Sequence, residues 1–464
     1  MTINQGMDFS AKPNIYGGIL AGYTGALNSA KADGTVENAS GAGGTVTGNI
    51  TLTVNGATLT GLVHGGNYNE GTGSQKVISG VDGKVTVELV DATQLVSDSG
   101  WLFGGSYVNA AQAEDVIHNG VEINVSGASD LGFLLGGSRA GHGGSASVQG
   151  GTSINISGGT FNKDIYGGGF AGAGSTSTVT GGASIRIDTA NAAVTINGSI
   201  FLGGYANGAG AVATVDSGRI TFTGSGERLQ FDGYVNGSGK AIGSGAIGGL
   251  LDEEQSTLAF VDYTGDFNAT VVDVYKLTIA GNSSVNLTRE LPAGGSFTAY
   301  EFDLSSRDYA SAGTAMLTVK NGMEFSIADN AYRNITITSA ALDGQKSGSF
   351  LLIDSTAELL ASLTGKVFNV TFDSLSKSVA VNSSSTVAIG SYEWGLELKD
   401  GKLSLFWKEP EVPTGNSLLG DWSASMQLAD NGSFGADLSM AAADGLQLYD
   451  AADRSLVSKN GYLA

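Results

Sequence analysis

The feature that most constrains this fold is a recurring pair of glycines in the first half of the chain. Each pair follows a ring-bearing or aliphatic residue, as in Phe103-Gly104-Gly105, and successive pairs lie 31 to 48 residues apart. A period of roughly 20 to 50 residues is typical of chains that stack one supersecondary unit on the next. We expect the pairs to form structural corners: Gly17 and Gly18, Gly65 and Gly66, Gly104 and Gly105, Gly136 and Gly137, Gly167 and Gly168, and Gly203 and Gly204. Phe231-Asp232-Gly233-Tyr234 is a weaker seventh copy.

Short alternating segments between the glycine pairs predict β-strands. Residues 121–125 and 153–157, for example, alternate apolar and polar side chains, the period-two pattern of a strand with one buried face. A glycine turn and a second apolar patch then lead to the next pair. One such circuit, repeated, is a coil of a β-solenoid in which Ile123, Ile154 and Ile185 stack in the core. Glycine suits the corners because it tolerates positive φ and close backbone approach.

A change in composition near residue 250 suggests the domain organisation. Of the 73 glycines, 55 lie in residues 1–250, and we interpret this part as a glycine-rich β-solenoid. Residues 251–408 predict a less regular continuation ending in a hairpin, with a separate β-sandwich as the alternative and a short helix at 357–363. Residues 409–416 are interpreted as a linker, and 417–464 as a small C-terminal β appendage, a tail or cap.

Charge and cysteine content narrow the function classes. The net charge of −21 repels phosphate backbones and anionic membranes, so nucleic acid is not an expected partner. The absence of cysteine excludes disulfides, thiolate metal sites and a cysteine nucleophile. No apolar run approaches the roughly 18–20 residues of a membrane helix, and no signal peptide is visible in this chain.

Catalytic motifs are not recognisable, so we do not expect an enzyme. The three histidines are not spaced as metal ligands, and His64 is expected to be half-buried at a corner. A polysaccharide lyase or hydrolase, the main enzymatic alternative, needs clustered carboxylates. The compact cluster at residues 252–254 is expected to be a solvated turn.

Aromatic residues beyond the corners are the candidate ligand-binding groups. Tyr68, Tyr107, Phe170 and Tyr205 each lie two or three residues after a glycine pair. In a solenoid, equivalent positions align in a row, and such rings bind glycans by stacking. The alternative is that the rings only cover the backbone of the corners.

The glycine-rich coils resemble a known family. Residues 165–172 and 180–187 are similar to passenger domains of bacterial autotransporters and related surface adhesins, and residues 392–405 look like the closing hairpin of such passengers. The Asp400-Gly401 turn within residues 392–405 is also a strong hairpin signal on physical grounds. The resemblance implies export, display on a cell envelope and a right-handed parallel β-helix.

The tail after residue 416 resembles one blade of an FG-GAP propeller repeat, whose acidic loop holds calcium. The matching residues are Asp430, Asn431 and Asp437. Because Ca²⁺ takes six or more oxygen ligands, these three residues are too few alone. A plain surface hairpin is therefore the expected structure, with calcium as the alternative and no other cofactor.

Together these features predict an all-β, secreted or surface-displayed solenoid. Its expected role is adhesive or structural, through binding to extracellular glycan, matrix or neighbouring copies. A polysaccharide lyase or hydrolase and a self-assembling extracellular filament subunit are the two alternatives.

Overall fold

The computed structural model describes residues 1–4, 14–21, 43–71, 76–91, 93–95, 100–127, 130–248, 255–289, 297–319, 327–355, 360 and 362–410. It confirms the predicted fold class, because parallel strands stack into a β-solenoid of about eight turns. Three 3-10 helices occur in these residues: Gly226–Arg228, Tyr309–Ser311 and Ser339–Leu342. Within the same residues, no helix has the length and apolar character needed to span a bilayer.

Each regular coil is built from five strands, which define five faces numbered in chain order. In one coil these strands are Val121–Val125, Asp130–Leu131, Phe133–Leu135, Arg139–Ala140 and Ser145–Val148. Each strand pairs in parallel with the equivalent strand of the next coil. The alternating segments therefore stack in register, as the sequence pattern predicts.

The strands are grouped here by face. Face 1 contains Thr2–Asn4, Ile50–Asn55, Val85–Val90, Val121–Val125, Thr152–Ile156, Ala183–Asp188, Gly218–Ser225 and Ser256–Phe267. Face 2 contains Thr58–Leu59, Gln94–Leu95, Asp130–Leu131, Gly159–Phe161, Val194–Ile196 and Leu229–Phe231. Face 3 contains Ile15–Tyr16, Val63–His64, Trp101–Phe103, Phe133–Leu135, Ile165–Tyr166, Ile200–Phe201, Tyr234–Asn236 and Thr270–Val272.

Faces 4 and 5 complete each coil. Face 4 contains Leu20–Ala21, Tyr68–Asn69, Tyr107–Val108, Arg139–Ala140, Phe170–Ala171, Tyr205–Asn207 and Lys240–Ile242. Face 5 contains Gly44–Val46, Val77–Val81, Ala113–Ile117, Ser145–Val148, Thr176–Val179, Val212–Val215 and Ala246–Gly248.

Beyond residue 255 the parallel stack continues with a simpler cross-section. The first half of the long strand Ser256–Phe267 pairs with the first strand of one ladder, and its second half pairs with the first strand of another. The first ladder contains Lys276–Ala280, Ala299–Asp303, Tyr332–Ile337 and Val367–Phe372. The second contains Ser284–Leu287, Leu317–Val319 and Ser347–Asp354. These pairings join both ladders to the glycine-rich coils, so the ladders do not form a separate sandwich.

Antiparallel strands close the stack. Val367–Phe372 pairs with Leu375–Ala380, and Val387–Ile389, Tyr392–Lys399 and Lys402–Lys408 form a three-stranded meander. Asp400 and Gly401 both have positive φ, 50° and 74°, as a two-residue hairpin turn requires. The hairpin predicted from this dipeptide is therefore present.

The chain divides into two compact units, Met1–Glu409 and Pro410–Ala464. The second unit lies outside the described residues after Pro410. The predicted tail, including Asp430, Asn431 and Asp437, and all of the predicted linker except Glu409 and Pro410 fall in that part. The acidic cluster at 252–254 and most of the helix predicted at 357–363 also lie outside the described residues.

In the regular coils the main core lies beneath faces 1, 2 and 3 and the last residues of face 5. Ile123, Ile154 and Ile185 are consecutive partners in the face 1 ladder and are wholly buried, as predicted. Between faces 4 and 5 the interior is narrow and is filled mainly by small side chains. Two separate clusters occupy it: Val108, Ala113, Ala140 and Ala146, and then Ala171, Ala206, Ala211 and Ala213.

The glycine pairs lie between faces 3 and 4, where the backbone packs directly against face 1. A Cβ atom added to Gly104 would overlap Cγ1 of Val121, and one added to Gly167 would lie 2.7 Å from Cβ of Ala183. None of the twelve paired glycines has positive φ. They are needed because of close approach, whereas positive φ occurs at the corner between faces 5 and 1, for example at Gly151 (81°).

Two details of the predicted register are wrong. Leu202, not a glycine, stacks on Gly167, so Phe201 occupies the position equivalent to Tyr166. The face 1 residue opposite Leu202 is Gly218, which leaves room for the larger side chain.

The second error concerns the seventh copy. Gly233 stacks on Gly198 between faces 2 and 3, and the true corner contains Gly237 and Gly239.

Gly104→Ala tests the close approach at the corner. The new methyl group must displace Val121 or the corner backbone, and we expect a loss of about 1–3 kcal/mol in the free energy of unfolding. Gly313→Ala is the matched control because no atom lies within 4 Å of its added Cβ. Urea unfolding followed by circular dichroism measures both. Equal effects of the two substitutions would contradict the packing described here.

Candidate functional site

The corner between faces 3 and 4 is concave on its outer side. The last residue of a face 3 strand and the first residue of a face 4 strand point outward, yet where both carry rings these rings contact each other. The ring centroids are 4.9 Å apart for Tyr16 and Tyr68, and 5.5 Å apart for Tyr166 and Tyr205. On a convex corner such side chains would diverge. We call this concave surface the outer corner.

Two parallel rows of side chains line the outer corner. The face 3 row contains Tyr16, His64, Phe103, Leu135, Tyr166 and Phe201. The face 4 row contains Tyr68, Tyr107, Arg139, Phe170, Tyr205 and Lys240. All four predicted ligand-binding aromatics therefore lie in a single row, and Arg139 stands between the second and the third of them.

Exposure changes along the two rows. Tyr68 and Tyr107 are only 9% exposed, because the rings of neighbouring coils cover them. Phe170 and Tyr205 are half-buried. The four predicted residues are thus unequal: the first two mainly fill the corner, whereas the last two reach its surface.

Three further aromatic residues at the open part of the corner were missed by the sequence analysis. Trp101, Phe133 and Phe201 are half-buried and contact the cluster formed by Phe103, Leu135 and Tyr166. Trp101 lies two residues before Phe103, and such residues in a strand point to the same side. This parity could have identified it. We call Trp101, Phe133, Phe170, Phe201 and Tyr205 the aromatic platform.

The rings of the aromatic platform contact each other in both stacked and edge-on arrangements. Trp101 stacks on Phe133 with centroids 4.2 Å apart and meets Phe170 edge-on at 5.5 Å. Phe170 meets Tyr205 edge-on at 5.3 Å. Such pairs contribute about 0.5–1.5 kcal/mol beyond the burial of their area. The platform is therefore a pre-formed surface assembled from four successive coils.

Charged groups border the aromatic platform. The guanidinium carbon of Arg139 lies 4.4 Å from the ring centroid of Tyr107. Farther along the face 4 row, Nζ of Lys240 lies 5.6 Å from the ring centroid of Phe201 and forms a 2.8 Å ion pair with Asp164. Asp164 also accepts a 3.0 Å hydrogen bond from the hydroxyl of Tyr166. The border thus offers both hydrogen-bond donors and an acceptor.

His64 is wholly buried in the face 3 row, so the expected half-burial is wrong. Its ring stacks between Tyr16 and Phe103, at centroid distances of 5.2 and 4.8 Å. Neither ring nitrogen has a hydrogen-bond partner. Burial, assisted by the positive charge of Arg139, holds the pKa of His64 well below its usual range. The imidazole therefore acts as a neutral aromatic ring.

A buried polar network lies on the inner side of the same corner. The carboxylate of Asp115 accepts hydrogen bonds from Ser79 (2.5 Å) and from the amide of Asn67 (2.9 Å). Desolvation raises the pKa of Asp115 despite these bonds. Asn67 and the two residues stacked above it, Ser106 and Ser138, also accept bonds from the backbone N–H of the preceding coil. This network fixes the corner from inside and does not reach the outer surface.

Neither a metal centre nor a family assignment emerges for the described residues. No group of three or more histidine, aspartate or glutamate side chains comes together there to hold a metal ion. No protein-family model and no curated protein sequence matches the chain.

His64→Phe tests the state of the buried imidazole. Because the pKa of His64 is lower in the folded than in the unfolded chain, stability falls as pH drops below about 6.5, by up to roughly 1.4 kcal/mol per pH unit. The variant should lose this component, so its urea midpoint should fall less than that of the wild type between pH 7.5 and pH 5. Exposed His118→Gln is the control. Parallel pH profiles for wild type and His64→Phe would refute a buried neutral histidine.

Proposed function

We propose that this protein is a secreted or cell-surface β-solenoid that binds extracellular glycans at the outer corner. The observation that carries the proposal is the aromatic platform, in which five partly exposed rings from successive coils gather in one concave surface. Partly exposed aromatic rings in a concavity, bordered by a few polar groups, are typical of ligand sites. The cell-surface location rests on the resemblance to autotransporter passengers.

The chemistry of the aromatic platform suits a sugar ring. A pyranose has an apolar face of C–H groups, which stacks on aromatic rings, and a polar edge of hydroxyl groups, which needs hydrogen-bond partners. Arg139, Lys240 and Asp164 supply such partners around the rings. Adjacent coils are about 4.8 Å apart, so the platform repeats on the scale of one sugar residue.

The scaffold favours binding without a large rearrangement. The backbone of Phe170 is fixed by strand pairing on both sides, with Arg139 and with Tyr205, and Trp101 pairs with Phe133. Little conformational entropy is then lost when a ligand stacks on them. A rigid row of this kind supports adhesion to a polymer better than it supports closure around a small molecule.

The double variant Trp101→Ala/Phe133→Ala tests the proposed function. Removal of two stacking rings should weaken glycan binding by about fivefold or more, since each aromatic contact contributes about 0.5–1.5 kcal/mol. The glycans are found by array screening of the wild type and then measured by affinity electrophoresis. Tyr332→Ala removes a ring that is 58% exposed elsewhere and should leave binding unchanged. Unaltered binding by the double variant, or no glycan bound by the wild type, would overturn the proposal.

A further inference from the structure

We infer that the outer corner selects glycans whose sugars carry a carboxylate, with Arg139 as the residue that binds it. This inference rests on the proposed function and adds the class of glycan. Arg139 occupies the middle of the face 4 row, between Tyr107 and Phe170, where neighbouring coils hold aromatic rings. It is half-buried, and its guanidinium lies within 6 Å of three ring centroids, those of Phe103, Tyr107 and Phe170.

Arg139 differs from the other arginines in the part of the chain that the structure describes. Its guanidinium forms no hydrogen bond and no ion pair there, although acidic residues outnumber basic ones in the chain, 44 to 23. Every other described arginine donates to a side chain or to a backbone carbonyl: Arg186, Arg219, Arg228, Arg289, Arg307 and Arg333. Among the described arginines, the guanidinium that borders the aromatic platform is thus the one without a protein acceptor.

The geometry of Arg139 suits an incoming carboxylate. A guanidinium stacked on an aromatic ring is held by one face, and its N–H groups remain in the plane for hydrogen bonding. Its fork of donors matches the two oxygens of a carboxylate, and such charge-assisted bidentate pairs are stronger than neutral hydrogen bonds. Partial burial among rings strengthens the pair, because the local dielectric is lower than that of water.

The position of the aromatic platform fixes where the sugar ring would lie. In uronic and sialic acids the carboxylate is attached directly to the sugar ring, so binding at Arg139 places that ring against a neighbouring side chain. Phe133 belongs to the same coil and Phe170 to the next. One guanidinium and one adjacent ring together recognise an acidic sugar, and the net charge of −21 argues against general attraction of polyanions.

The test compares polygalacturonate with its carboxyl-reduced and methyl-esterified forms, using affinity electrophoresis and the intact chain. The wild type should bind the free acid at least tenfold more tightly than either neutral form. Arg139→Gln should remove this preference, and Arg139→Lys, which keeps the charge but not the fork, should retain part of it. A sialylated glycoprotein and its desialylated form provide a second pair, which distinguishes uronate from sialate as the source of the carboxylate.

Each outcome bears on the inference. Equal binding of acidic and neutral forms by the wild type overturns it, and so does a preference that persists in Arg139→Gln. In both cases the proposed function survives if Trp101→Ala/Phe133→Ala still weakens binding. Failure of the wild type to bind any glycan overturns both. The comparison of the free acid with the two neutral polymers needs only the wild-type protein. The inference therefore stays falsifiable even if Arg139→Gln does not fold.

Discussion

The glycine-rich coils depend on one steric constraint, the contact between the corner backbone and the side chains of face 1. At Gly104 and Gly167 there is no room for a Cβ atom, because Val121 and Ala183 of face 1, together with backbone carbonyl oxygens of the next coil, fill the space. Where the corner carries Leu202, the opposite position has become Gly218. The one large residue at the corner thus faces a glycine on face 1, as a close-packed interior requires. A break in this complementarity would force the corner away from face 1 and flatten the coil.

The same contact explains why aromatic residues gather outside the solenoid. A backbone drawn inward at one corner leaves a concave surface outside, and outward side chains from two faces converge there. The result is a second apolar layer, in which the buried rings of Phe103 and Tyr166 contact the half-buried aromatic platform. A structural requirement has therefore produced a pre-formed surface of rings. The proposed binding at its open part, where Trp101 and Tyr205 lie, requires a ligand with an apolar face and polar edges.

The sequence indicates the fold well because its signals are local and repeated. Glycine pairs and alternating strands such as 121–125 recur often enough to establish the coil, and they place Tyr68, Tyr107, Phe170 and Tyr205 in one row. The register between coils is harder to predict, because loops of variable length separate the strands. The predicted positions of Gly233 and Leu202 are wrong for that reason. Parity along the strand could have placed Trp101 and Phe133 on the same side as Phe103 and Leu135, but the concavity itself and the full burial of His64 depend on contacts between faces that no local pattern encodes.

A double-mutant cycle between Gly104 and Val121 measures the central contact most directly. Gly104→Ala, Val121→Ala and the double variant are compared by urea unfolding. If the new methyl group meets Cγ1 of Val121, removal of that atom relieves the strain, and the double variant should be more stable than the sum of the single effects by about 0.5–3 kcal/mol. Additive effects would mean that the corner does not rest on face 1, and would contradict this account of the outer corner.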